Sequence, residues 1–369
     1  MRASVAIVED QTRASSLWQR IRARDAATGL ALSTLAIMGM TKNTGKTVAL
    51  NHVLAQAAAS NVRVGVTSIG RDGEDHDQVY MVPKPPVLVW PGNLVATARA
   101  TLQRAKARNK FIASTGIHSP MGEIVLVQVL EYGEMEIAGA SRSTDQRTVI
   151  ALLKQCGADL VLLDGALGRS HHASPAIAEG VILSTGAAIG GGMGDVIRKT
   201  RDRLAILGLV QAPPTTRALC AELFNVGGVG IWARNGTQLF AEPIATLNAG
   251  ATLLQFADAD IGTVAVTGAV GRSLWRAVQT LADKHPGMSL VVHDGTKLFV
   301  DQLELAALQK NGSKVLAQHA IRLVGITLNP FSPFGGSFDA QEFLTTARAS
   351  FEGYAVCDVQ LEEQERFHD

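Results

Sequence analysis

Nine consecutive residues carry the densest chemistry in this 369-residue chain: Gly39-Met40-Thr41-Lys42-Asn43-Thr44-Gly45-Lys46-Thr47. Glycines let a backbone turn tightly and come close to a ligand. A lysine followed by a threonine brings one cation and one hydroxyl to the same place. That combination suits a nucleoside triphosphate, whose oxygens need many donors at short range. A helix beginning just after the loop would aim its unpaired N–H groups and partial positive charge at the anion. Lys46 would reach the β- and γ-phosphates, and the Thr47 hydroxyl would sit on Mg2+. Gly39, Thr41, Lys42, Asn43, Thr44 and Gly45 would complete the nucleotide cradle. The spacing is one residue longer than the common form, with Met40 where the first glycine usually stands.

A magnesium–nucleotide site also needs a carboxylate on a neighbouring strand end. Asp164, closing Leu162-Leu163-Asp164, fits that role as a metal-binding and catalytic residue. The loop Ser68 to Asp77 holds Arg71, Asp72, Glu74 and Asp75. Asp72 is the first choice for the metal shell, with Glu74 and Asp75 as alternatives and an acidic surface turn as the competing reading. No guanine-reading N-K-x-D segment is present: Asn109-Lys110 is followed by Phe111-Ile112. Asn329, at the end of an apolar run, has one amide donor side and one acceptor side to offer adenine. This favours ATP over GTP, against the plainer reading of Asn329-Pro330 as a turn. Arg142, Arg169 and the pair His171-His172 fall on expected loops without metal spacing, and Asp294-Gly295-Thr296-Lys297 follows another strand.

These residues need elements to hold them. Leu35 to Met38 reads as a strand before the loop. Val48, Leu50, Val53, Leu54 and Ala57 recur at helical spacing after it, and Val62 to Ile69 is the next strand. The unit predicts a parallel, right-handed crossover. Residues 1–34 form an N-terminal extension, in which Thr12 to Ala27 reads as a basic amphipathic helix. The core's first part covers 35–78. Residues 79–145 read as a β-rich insertion, with a helix over Leu94–Lys106 and paired strands at 123–130 and 133–138. The core continues over 146–369. Its helices are expected at 145–156, 195–207, 273–285 and 300–310, and its strands at 160–164, 181–184, 263–267, 289–293, 323–328 and 354–359. Residues 211–259 show no clear period. The sum is an α/β fold: a mostly parallel, doubly wound sheet with a β-rich insertion.

Composition narrows the classes. Hydrophobic residues make up 47% and charged residues 18%, with 36 glycines, which suits a buried parallel sheet with many tight turns. A net charge of +1 gives no bulk attraction to nucleic acid or a membrane surface. No secretory leader and no bilayer-length apolar run is legible. Cys156, Cys220 and Cys357 lack metal spacing and read as reduced, mostly buried thiols in a cytoplasmic protein.

The loop spacing, with Thr44-Gly45-Lys46-Thr47 and the Asp164-Gly165-Ala166 segment, resembles dethiobiotin synthetase and its relatives among the P-loop NTPases. A longer ordered series resembles a narrower family. It runs through Thr67 to Glu74, Ser114 to Ile117, Gly122-Glu123, Ala138 to Arg142, Ala158 to Ala166, Val292 to Phe299 and Thr327 to Pro333. The order is similar to that of the P-loop reactivase subunit paired with adenosylcobalamin-dependent lysine and ornithine aminomutases. That resemblance implies an ATP-driven chaperone that opens an inactivated aminomutase, releases damaged cobalamin and works with a second reactivase subunit. The alternative is a dethiobiotin-synthetase-like ligase or kinase acting on a small molecule, and a third is a nucleotide-binding module without turnover. Association with copies of itself stays open.

Overall fold

The computed structural model describes residues 16–24, 29–69, 85–165 and 177–366. In chain order its strands are β1 (Thr34–Gly39), β2 (Val64–Ser68), β3 (Val87–Val89), β4 (Leu94–Ala98), β5 (Asn109–Ser119), β6 (Gly122–Val129), β7 (Gly133–Met135) and β8 (Leu160–Asp164). They continue with β9 (Gly180–Gly186), β10 (Val229–Ala233), β11 (Gln238–Glu242), β12 (Ile261–Val266), β13 (Ser289–Val292), β14 (Lys314–Ala317), β15 (Leu323–Asn329) and β16 (Val356–Cys357).

Two compact units share these elements. The first takes the described residues up to 165, then Ile177–Thr200 and the chain from Leu323 onward. Its nine-stranded sheet has the order β16-β15-β9-β1-β8-β2-β4-β6-β5. The seven strands from β16 to β4 are mutually parallel, and β6 and β5 add an antiparallel edge. The expected mixed α/β class with a large, mostly parallel sheet is therefore present.

The parallel part follows from its sequence. Leu35, Ile37, Leu160, Leu162 and Ile182 are fully buried, as strands covered on both faces require. Each contributes about 1.5–3 kcal/mol by leaving water. The Lys46–Ala59 helix buries Ala49, Leu50, Val53, Leu54 and Ala57 on one face and ends at Ser60. From β1 this helix leads to β2 on one side of β1, whereas β9 lies on the other side, next to β15. The direction of winding changes at β1, and ligands of open α/β sheets bind beyond the carboxyl ends of strands at such a point.

Several local expectations need correction. Leu94–Lys106 is not one helix. Leu94 to Ala98 is a strand between β2 and β6, followed by one short helix, Arg99–Leu102. All five residues of β4 are buried, and Thr97 Oγ1 accepts from Ala138 N at 2.9 Å. Burial on both sheet faces overrides the helical spacing of Leu94, Ala98 and Leu102. Nor do residues 123–130 and 133–138 pair with each other. β6 lies between β4 and β5, while β7 pairs with β3 in a separate two-stranded ribbon. Thus much of 79–145 extends the main sheet. The expected strand at 354–359 shrinks to β16, because Val359 already opens the Val359–Arg366 helix. Of the expected basic helix near the start, Leu17–Arg22 is described. Ser16 caps it, and Leu17 and Ile21 are buried.

The second unit takes Arg201–Arg322. Its five-stranded sheet has the order β11-β10-β12-β13-β14. β12, β13 and β14 are parallel and joined by the helices Arg272–Lys284 and Gln302–Gln309. Its core gathers Trp275, Val278, Leu281, Leu290 and Val292. The stretch without clear period, 211–259, becomes the helix Pro214–Val226, the hairpin β10–β11 and the short helix Ala249–Leu254. No described helix is long and apolar enough to cross a membrane.

Candidate functional site

The nine-residue segment runs from Gly39, the last residue of β1, through residues 40–45 into the first two residues of the Lys46–Ala59 helix. Met40 N donates to the Ser184 carbonyl at 2.9 Å, which anchors the start of the loop to β9. Thr44 is almost wholly buried, and its Oγ1 donates to the Thr41 carbonyl at 2.9 Å. Asn43 has φ +62° and Gly45 φ +86°, so the loop turns through two left-handed residues before entering the helix. At Gly45 this conformation carries no Cβ penalty.

Gly39 is required for another reason. A methyl group there would stand 2.7 Å from Thr44 Oγ1 and 2.9 Å from both Cγ and Cδ of Lys46. The Lys46 side chain thus folds back along the loop, over Gly39. The first turn of the Lys46–Ala59 helix contains no acidic residue and receives no side-chain cap from Gly45. Four N–H groups at a helix start lack partners within the helix, and an anion is their natural complement. Thr47, in that same first turn, is buried.

Asp164 ends β8, the direct neighbour of β1, and pairs in register with Ile37. It is only 8% exposed. On its far side it is in register with Ser68 of β2, and Ile69 N donates to its carbonyl at 3.2 Å. Ser68 Oγ donates to the Ile137 carbonyl at 3.0 Å and accepts from Gly139 N at 2.9 Å, so the 137–139 segment is tied beside the same strand end.

Asn329 ends β15. Its Nδ2 donates to the Asn43 carbonyl at 2.8 Å, and its Oδ1 accepts from Phe331 N at 3.2 Å. Both halves of the amide therefore bond inside the protein, and one bond holds the loop itself. A Cβ on Gly45 would stand 3.1 Å from Asn329 Cβ, so loop and asparagine are in direct contact.

The structure brings Gly39, Thr44, Gly45, Lys46, Thr47, Asp164 and Asn329 to adjoining strand ends and one helix start. Thr41, Lys42 and Asn43 form the rest of the loop, with Lys42 and Asn43 exposed. Asp72, with Arg71, Glu74, Asp75, Arg169, His171 and His172, lies outside the described residues. Arg142 is exposed just before the Ser143–Gln155 helix. Asn109-Lys110 opens β5, five strands from β1. At about 4.8 Å per strand, that is roughly 24 Å away. Asp294 belongs to the second unit.

Sequence reasoning missed the hydroxyl pairs under the loop. Ser184 Oγ and Thr327 Oγ1 lie 2.8 Å apart, joining β9 to β15 where Met40 attaches. Thr185 Oγ1 and Thr200 Oγ1 lie 2.6 Å apart, and all four residues are buried. A local signal exists, since Ser184-Thr185-Gly186 ends an apolar run, but the partners are remote in sequence.

Among the described residues no three His, Cys, Asp or Glu side chains gather as a metal cage. Burial pushes the Cys220 thiol up to about 12 and holds Cys357 well above the usual thiol range, so neither is a nucleophilic thiolate near neutral pH. The chemistry on offer is anion binding: backbone donors, the Lys46 cation and the buried Thr47 hydroxyl, beside the buried Asp164 carboxyl group. No protein-family model matches this chain, and no curated protein matches it.

Proposed function

We propose that this chain is a P-loop ATPase that binds Mg–ATP on the loop Gly39–Thr47. The observation that carries the reading is Lys46 folded over Gly39 at the start of an uncapped helix, with Asp164 on the adjoining parallel strand. The residues present fit the nucleotide. Loop N–H groups and Lys46 would hold the phosphates, and Thr47 with Asp164 would hold the metal. Mg2+ keeps near-octahedral geometry with waters and phosphate oxygens, so one hydroxyl and one carboxylate suffice without a protein cage. When bound, the ion supplies neutralisation of charge on the phosphate oxygens.

The residues then divide the work. Gly39 lets Lys46 lie close to the phosphates. Gly45 turns the loop into the helix. Asn329 latches the loop through Asn43 and so acts first on loop shape, with any contribution to adenine choice resting on its remaining amide valences. ATP in preference to GTP is supported by the lack of an N-K-x-D segment near the loop.

The use of the hydrolysis is read from the ordered motifs that resemble the aminomutase reactivase subunit. On that reading the chain reopens an inactivated cobalamin-dependent aminomutase, together with a second subunit. A nucleotide that binds one conformer about 3 kcal/mol better than another shifts a two-state partner more than a hundredfold. Pull-down of cobalamin enzymes with and without ATP tests it. ATP-dependent capture of an aminomutase is the expected result; no capture in either state would favour a small-molecule ligase or kinase.

A further inference from the structure

We propose that the carboxyl ends of β13 and β14, in the second unit, form a binding site for a small oxyanion, with His293, His319 and Arg217 facing the ligand. The inference is independent of the phosphate-loop reading. β12, β13 and β14 are parallel and adjacent in sheet order, so the segments after β13 and β14 emerge side by side. Open α/β sheets present ligand-binding residues at this edge. His293 follows β13 and His319 follows β14, with their ring centres 5.1 Å apart.

The first histidine is held in a fixed orientation. His293 Nδ1 lies 2.8 Å from Asp294 Oδ2. Asp294 is fully buried, and its Oδ1 accepts from Thr296 N at 2.8 Å and from Thr296 Oγ1 at 2.5 Å. A carboxylate at Nδ1 fixes the imidazole and leaves Nε2 for another partner. Phe224 packs edge-on against the same ring at 5.9 Å. The Asp294 bonds by themselves would cap the Gly295–Lys297 turn and nothing more.

A cap does not account for the polar atoms around it. Gln318 Oε1 and Arg217 Nε are buried and meet no hydrogen-bond partner among the described residues. Gln318 is 7% exposed and joins Arg217, its Nε2 donating to the Arg217 carbonyl at 3.3 Å. Buried polar atoms without partners are costly, and a ligand that meets them removes the cost. Among the charged groups that act on Arg203 and His319, Arg217 and Arg203 are cationic and Asp294 is anionic, and the field of Asp294 opposes the lowering of the Arg203 pKa by burial. The excess is positive and calls for an anion.

Proton uptake accompanies binding. Burial first, then His293 and Arg217, hold the His319 imidazole below the ordinary histidine range, with Asp294 opposing them. An arriving anion reverses the repulsion, raises that pKa and binds more tightly as the pH falls.

The test is NMR of the full chain labelled on histidine, titrated with pH alone, with inorganic phosphate and, separately, with lactate. Binding should move the His293 and His319 signals and raise the His319 midpoint. Arg217→Ala and the exposed-site variant His319→Ala should each weaken binding about tenfold or more, as loss of a charge-assisted contact does. A response to phosphate alone or to lactate alone also supports the site and assigns the phosphate or carboxylate class. No shift with either anion, or a shift that both variants leave unchanged, overturns it.

Discussion

Lys46 and Asp164 face one another's chemistry from adjoining elements, yet their expected roles differ. On the proposed reading Lys46 would act on the bound phosphates, so Lys46→Ala should lower Mg–ATP affinity at least about a hundredfold. On the same reading Asp164 would act through the metal, so Asp164→Asn should reduce magnesium-dependent turnover more than affinity; equal losses in turnover and binding would count against that role. Asn329→Ala removes the bond to the Asn43 carbonyl. It should lower thermal stability only modestly, by about 1 kcal/mol, while weakening nucleotide binding through a loosened loop. Comparing melting temperature with calorimetric affinity checks it; a large fall in stability with unchanged affinity would make Asn329 a purely structural tie. At this scale the sequence told much about the loop and less about its supports. The glycines, Lys46 and Thr47 are contiguous, so their spacing exposes them. Ser184 and Thr327 are 143 residues apart, and only the sheet brings their hydroxyls together. Asn329 was legible as a strand-end amide, but its bond to Asn43 was not, because the left-handed turn that presents that carbonyl is a property of the folded loop.

Elements were readable where local pattern and tertiary burial agree. The run Leu35–Met38 and the helical spacing from Val48 to Ala57 each match their environment, and β1 and the Lys46–Ala59 helix follow. Disagreement hid β4: Leu94, Ala98 and Leu102 repeat at helical spacing, while neighbours on both sides demand a strand. Glu179 shows how one exposed side chain ties two elements. Its carboxylate accepts from Ser33 N at 2.7 Å and Ser33 Oγ at 2.6 Å, and its own N–H donates to Thr34 Oγ1 at 3.1 Å, at the start of β1 and β9. Partial burial works against its charged form. Ser33, Lys154 and Thr34 prevail, and the pKa falls below the ordinary glutamate range. A depressed carboxylate pKa stabilises the fold above its unfolded value, and the contribution is lost as pH drops through the folded value. Wild type should therefore lose stability on acidification below the ordinary glutamate pKa more steeply than Glu179→Gln. Denaturation midpoints against pH measure this, and parallel curves would contradict it.

The described residues fall into two compact units, each with its own large sheet, and this division was the least legible feature. Both units alternate apolar strands with amphipathic helices, so no change of composition marks residues 201 or 322. The second unit's hairpin and short helices also lack a sustained period. The loop belongs to the first unit. Scanning calorimetry should resolve more than one unfolding step, and Mg–ATP should raise the transition of the nine-stranded unit alone, since a ligand stabilises what it binds. One transition that rises as a whole with nucleotide would show instead that the units unfold together. The most direct measurement of the central claim is isothermal titration of Mg–ATP into the full chain and into Lys46→Ala. Saturable binding by the wild type is expected, with affinity at least about a hundredfold lower in the variant, as when a charge-assisted phosphate contact is lost. Equal affinity in the two proteins, or no binding by the wild type, would contradict it.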